Sequence, residues 1–119
     1  FKTMKIHVIG CATDLSHPNL KLLKEKLDIY ILPLVLPFDW EGYSATYSTN
    51  EFIKNLPEDD VIVATDVYDV LPLNGCNKQI LEQKLLHNLD LNKIIFAAES
   101  NCFPDGNLSN LYPKHESKW

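Results

Sequence analysis

The sequence predicts an α/β domain, a mostly parallel sheet with helices on both faces. Three observations carry that expectation. Short apolar runs bounded by polar residues, above all Val61-Ile62-Val63-Ala64 between Asp59-Asp60 and Asp66, read as strands buried on both faces of a parallel sheet. Segments with apolar residues at helical spacing alternate with them. The chain has 119 residues, 45% hydrophobic and 23% charged, which suits one globular domain with a real core and argues against disorder.

Residues 5–10, Lys-Ile-His-Val-Ile-Gly, form the first expected strand, and Gly10-Cys11-Ala12-Thr13-Asp14 the loop at its end. Ser16-His17-Pro18 sets up a helix start, because Pro fits the first turn. Leu20, Leu23 and Leu27 follow at helical spacing, with lysines on the other face. Residues 28–36 read as a second strand, which Pro33 moves to a sheet edge or ends early. After the polar, aromatic loop of residues 37–44, Ser48-Thr49-Asn50-Glu51 fits a capping box opening a helix with Phe52, Ile53 and Leu56, ended by Pro57.

Residues 61–65 are the third strand, Asn74-Gly75 a turn, and residues 78–88 a helix with Ile80, Leu81, Leu85 and Leu89 facing inward. Residues 93–98 read as a fourth, buried strand, followed by a loop containing Glu99, Cys102 and Phe103. Right-handed crossovers would bring the strand-end loops, and with them Thr13, Trp40, Asp66, Asp69 and Glu99, to one edge of the sheet.

The formal charge is 11 − 16 = −5, with no basic cluster, which argues against nucleic acid or an anionic membrane as a partner. The longest apolar stretch, residues 29–38, is interrupted by Pro33 and Pro37 and is too short to span a bilayer. The first residue is not Met and Phe1-Lys2-Thr3 opens no charged-then-apolar leader, so the sequence reads as a fragment or processed product whose location is not legible. Cys11, Cys76 and Cys102 show neither a C-x-x-C zinc pattern nor a disulfide framework and read as buried or half-buried thiols, with one disulfide through Cys102 left open. No G-x-S-x-G elbow or sequence-evident Cys–His pair suggests a nucleophile. No glycine-rich phosphate loop is present, so a phosphate would have to be held through a metal.

The candidate chemistry follows the third strand, in Thr65-Asp66-Val67-Tyr68-Asp69-Val70. Two carboxylates three positions apart at a strand's carboxyl end supply the hard oxygen ligands that Mn²⁺ or Mg²⁺ takes when it carries a diphosphate. The same spacing suits aspartates that cap a turn, and spacing alone leaves both readings open. His7, His17, His87 and His115 read as non-ligating histidines, which leaves a third metal ligand unassigned. Glu99 either orients its loop by accepting N–H bonds or acts as an acid or base.

Ala64-Thr65-Asp66-Val67-Tyr68-Asp69-Val70, Phe96-Ala97-Ala98-Glu99-Ser100-Asn101-Cys102-Phe103-Pro104-Asp105 and Leu111-Tyr112-Pro113 occur here in that order. The chain resembles the N-terminal glycosyltransferase domain of the procollagen lysyl hydroxylases and, more distantly, the collagen galactosyltransferases. The resemblance runs from the first strand to the last residue and is strongest over residues 61–113. It implies a Rossmann-like glycosyltransferase A fold, of which residues 1–119 would be the N-terminal, donor-binding part.

The implied enzyme moves glucose or galactose from UDP-glucose or UDP-galactose to hydroxylysine or galactosyl-hydroxylysine of a collagen-like chain, in the ER lumen. By the same resemblance Asp66 and Asp69 hold Mn²⁺, with Mg²⁺ as a substitute, and Thr13, Trp40 and Tyr68 frame the uridine. Phe103 borders the sugar where the family commonly has Trp, which keeps an aromatic wall and drops an indole N–H. The catalytic residues are unassigned, because the family's Ser/Gly-rich motif, further acidic residues and metal-binding His lie beyond Trp119. Two other readings stand beside this one: a catalytically incomplete UDP-binding or interaction module, and a nucleotidyltransferase, which would prefer a nucleoside triphosphate. Oligomeric state is not legible.

Overall fold

The computed structural model describes residues 4–34, 43–97 and 106–111. Its centre is β1 (Ile6–Ala12), flanked in a parallel three-stranded sheet by β2 (Tyr30–Pro33) and β3 (Val61–Ala64), in the order β2-β1-β3. β1 is central because its near-continuous apolar run can be covered from both sides; Val8 and Ile9, on opposite faces, are 2% and 1% exposed. The register sets Ile9 opposite both Tyr30 and Ala64.

The pleat sorts β1 into two faces. Val8 and Ala12 pack with Leu20, Leu23 and Leu27 of α1 (Pro18–Leu27), and Leu81 of α3 (Lys78–Asn88) packs against the same cluster. His7 and Cys11 face α2 (Tyr43–Ile53): the His7 ring meets Phe52, and Cys11 Sγ lies 3.7 Å from Thr49 Oγ1. Helices therefore cover both faces, as expected. A short 3₁₀ helix, η1, spans Gly106–Leu111.

α1 follows its sequence signals closely. Pro18 occupies the first turn, and His17 caps it by accepting the Asn19 N–H at Nδ1, 3.2 Å away. Asp28 ends the helix in the left-handed region (φ 51°), its N–H bonded to Lys24 O and its carboxylate 3.5 Å from Lys78 Nζ of α3. The second strand therefore starts later than residue 28. Pro33 closes it on the strand that, among the described residues, lies at the sheet's edge, where a missing N–H costs no ladder bond.

Other expectations are corrected. α2 begins at Tyr43, five residues before Ser48, and Glu51 forms an ion pair with Lys54 at 2.8 Å, so the apparent capping box lies inside a helix. β3 is half-buried along Val61-Ile62-Val63, because among the described residues it has a neighbour on one side alone. Ile80, Leu81 and Leu85 are half-buried and Leu89 is exposed, so α3 rests on the core rather than inserting into it. Residues 93–97 form no strand; Ile94 is 87% exposed, and an apolar run without a ladder partner has nothing to pair its backbone. No helix among the described residues is long and apolar enough to cross a membrane.

At the sheet's amino-terminal end, His7 Nε2 lies 2.8 Å from Asp60 Oδ2 and Lys5 N–H donates to Asp60 Oδ1, tying the start of β1 to that of β3. Phe52 packs edge-on to His7 and stacks with Tyr30, closing this pole. The His7 hydrogen bond holds the Asp60 carboxyl below its ordinary value of 3.8, against the opposing effect of burial and with help from Lys5 N–H.

At the opposite end, Gly10 has a steric role. A Cβ there would run into Val67 Cγ1, stand 3.0 Å from Thr65 O and 3.3 Å from Ile29 Cδ1. The bare backbone is what lets the chain leaving β3 pass over the end of β1.

Two outcomes test this description. Gly10→Ala lowers stability by about 1–3 kcal/mol through overpacking, read by chemical denaturation; an unchanged midpoint would contradict the crossing. A group with a depressed folded pKa contributes stability above its unfolded value and loses it as pH falls through the folded one. Asp60→Asn therefore melts below wild type at neutral pH, and the gap closes as pH drops beneath 3.8. A gap independent of pH would show that the ionised carboxylate contributes nothing.

Candidate functional site at the carboxyl edge of the sheet

β3 hands over to the site at Thr65, whose N–H donates the last ladder bond, to Ile9 O at 3.0 Å. The chain then crosses Gly10 and drives Val67, 2% exposed, into the core beside Leu20 and Leu23. Anchoring Val67 leaves its neighbours Asp66, Tyr68 and Asp69 exposed on the outer side of the turn.

The turn is closed from beneath by Asn19, on the buried side of α1. Its Nδ2 donates one hydrogen to Val67 O (2.7 Å) and the other to Val70 O (2.8 Å). Both carbonyls, which the fold takes away from water, are thereby satisfied. The carboxylates of Asp66 and Asp69 have no hydrogen-bond or ion-pair partner among the described residues. Turn capping, the alternative use of an Asp-x-x-Asp spacing, is thus performed by a different residue.

Tyr68 links this turn to the loop after β1. Its hydroxyl oxygen accepts the main-chain N–H of Thr13 and of Asp14, each at 2.8 Å, and lies 3.2 Å from Thr13 Oγ1. Its ring packs against His17 at 4.8 Å between centroids. Burial pushes the phenol up, but the Asp14 N–H bond and the Thr13 hydroxyl and N–H bonds outweigh it and hold Tyr68 below its ordinary value of 10.0. Asp14 is occupied locally: Oδ1 accepts from Ser16 Oγ (2.6 Å) and Ser16 N–H (3.0 Å), and these bonds lower its pKa.

Beside the turn lies a cleft of about 540 Å³, bounded by the ends of β1 and β3, by Ala45 and Thr49 of α2, and by Asp66 and Val70. That volume suits a small-molecule ligand. Pairing of Cys11 with Thr49 and of His7 with Phe52 shows that α2 runs antiparallel to β1. The amino-terminal ends of α1 and α2, which favour anions, therefore both lie at this edge.

The structure thus joins Thr13 to Tyr68, sets Asp66 in the cleft wall, and places Asp69 on the same turn outside the residues lining the cleft. Trp40, Glu99, Phe103, Cys102 and His115 lie outside the described residues. His7 and His17 are committed to Asp60 and to the α1 cap, and His87 is exposed on α3. Among the described residues no group of three or more His, Cys, Asp or Glu could hold a metal. Two unengaged carboxylates nevertheless fit the preference of Mg²⁺ and Mn²⁺ for oxygen donors, with phosphate and water completing the shell.

Sequence reasoning overlooked Asn19 and Gly10. Asn19 left a signal: it stands four residues before Leu23 and eight before Leu27, a polar residue on the buried stripe of an amphipathic helix.

Tyr68→Phe removes the acceptor for two main-chain donors. It speeds hydrogen exchange at the Thr13 and Asp14 amides and costs about 1 kcal/mol of stability; unchanged protection at both amides would show that the loop holds itself.

The family profile described as the PLOD GT domain matches residues 49–119, more than half of the chain and including the whole turn. The chain is 30% identical over 127 aligned positions to procollagen-lysine,2-oxoglutarate 5-dioxygenase of Drosophila melanogaster, covering 96% of this chain and 17% of that protein. It is 34% identical over 67 residues to an uncharacterized protein of Acanthamoeba polyphaga mimivirus, covering 56% of this chain and 14% of that one. The chain therefore spans less than a fifth of the length of these curated relatives. No solved structure is a significant match. The profile match and the Drosophila relative, together with a parallel sheet clad by helices, show that the chain belongs to the PLOD glycosyltransferase-domain family.

Proposed function

We propose that this domain binds a UDP-sugar, UDP-glucose or UDP-galactose, for transfer to a collagen-like polypeptide. Membership of a glycosyltransferase family implies a sugar donor and a protein acceptor. The finer reading is carried by one observation: Asp66 and Asp69 have no side-chain partner among the described residues, on a turn whose own hydrogen bonding is supplied by Asn19 and whose Asp66 lines a ligand-sized cleft. The acceptor reading draws on the Drosophila relative, whose name specifies procollagen lysine; the proposed attachment point is hydroxylysine or its galactosyl form.

In this scheme Asp66 and Asp69 hold Mn²⁺ or Mg²⁺, which would neutralise charge on the departing diphosphate. The residues around them bind and orient. Ile9, Ala64 and Val70 offer apolar wall to a planar base, and Thr13, whose hydroxyl lies against that of Tyr68 outside the residues lining the cleft, is assigned to the uridine. Tyr68 has its hydroxyl committed to the loop after β1, so it serves the nucleotide by holding Thr13 and by its ring. Trp40 is assigned to the cover of the base and Phe103 to the sugar wall.

Titration of the full-length protein with UDP, UDP-glucose and UDP-galactose, with and without Mn²⁺, tests the proposal. Alanine at both Asp66 and Asp69 abolishes Mn²⁺-dependent UDP binding and changes stability by no more than about 0.5 kcal/mol, as for surface positions. Intact binding after that change would overturn the assignment. Binding without transfer would favour a non-catalytic module, and a preference for nucleoside triphosphates would favour a nucleotidyltransferase.

A further inference from the structure

We propose that Asn19 is a positioning residue for the carboxylate pair: its two amide hydrogens, spent on the carbonyls of Val67 and Val70, set the shape of the turn that holds Asp66 and Asp69 in register for a divalent cation and a diphosphate. The inference rests on the reading of the acidic pair given above.

A side-chain amide nitrogen presents two donors in a fixed planar fork. Bonds of 2.7 and 2.8 Å from that fork define the separation of two carbonyl oxygens three residues apart, and those carbonyls bracket Tyr68 and Asp69. Asn19 is itself held still. It is 9% exposed, its own N–H is bonded to His17 Nδ1, and the next residue, Leu20, is buried in the core. The turn is thus referenced to α1 and, through α1, to the sheet. Tyr68 supplies a second tie from the opposite side, to Thr13 and Asp14.

A pair of carboxylates binds a hard cation well when both oxygens sit within a narrow coordination geometry. Groups that orient metal ligands without touching the metal typically change affinity 10–100-fold when removed. Asn19 stands in that relation to Asp66 and Asp69. Its loss also leaves two carbonyls without their donor, so a fall in stability alone would not separate positioning from ordinary structure.

The discriminating readout is the affinity of Mn²⁺ in the presence of UDP, followed by the paramagnetic resonance of the free ion, which needs no turnover. Asn19→Ala weakens binding about 10–100-fold. Asn19→Asp keeps the size but faces two carbonyls with an acceptor, and weakens it at least as much. Leu27→Ala, a core truncation at the far end of α1, loses stability yet keeps wild-type affinity below its melting temperature.

Equal affinities for Asn19→Ala and Leu27→Ala would overturn the positioning role while leaving the acidic pair intact. If alanine at both Asp66 and Asp69 bound Mn²⁺ and UDP like wild type, or if wild type bound neither, the underlying reading would fall instead. A measurement on wild type covers the case in which both Asn19 variants unfold. The Asn19 Nδ2 proton resonances shift when Mg²⁺ and UDP are added, and resonances that stay fixed at saturation would overturn the proposal.

Discussion

Everything at the carboxyl edge of the sheet depends on one steric constraint, the passage of the chain leaving β3 over Gly10 of β1. With no Cβ in the way, Val67 drops into the core and becomes the anchor of the turn. Apolar burial drives the descent; hydrogen bonds from Asn19 then decide its shape. Asp66 and Asp69 face outward as a consequence, because Val67, which lies between them in the chain, has taken the inward direction. The acidic pair is therefore presented by the fold, and not consumed by it.

The two ends of the sheet divide the work. At the amino-terminal pole, charge and rings are paired off: His7 with Asp60, Phe52 with His7 and Tyr30. At the carboxyl pole the carboxylates of Asp66 and Asp69 have no partner among the described residues, beside a cleft and on the side of the sheet where two helices start. A chain of net charge −5 with two bare carboxylates would repel a diphosphate. On the proposed reading a divalent cation would reverse the sign of that encounter and let an acidic surface without a glycine-rich phosphate loop take such a ligand.

Much of this was legible in the sequence, and the gaps have physical causes. Pro18, the Leu20–Leu23–Leu27 spacing and the apolar run at residues 61–64 are local signals, and α1 and β3 formed where they pointed. Ser48 and Glu51 misled because a capping box is a pattern of identity, whereas Glu51 found Lys54 closer at hand. Residues 93–97 misled because a strand is defined by its partner, which composition does not reveal. The acidic pair could be named from its motif, but its support could not: Asn19 is 48 residues from Val67 in sequence, and the contact exists only once α1 packs on the sheet. The Tyr68–Thr13 tie was hidden for the same reason.

The most direct test of the central claim is anomalous diffraction from the full-length protein crystallised with Mn²⁺ and UDP. The account predicts a manganese peak about 2 Å from carboxylate oxygens of both Asp66 and Asp69, with Asn19 still bridging the Val67 and Val70 carbonyls. A peak elsewhere, with the two carboxylates folded back onto main-chain amides, would contradict it.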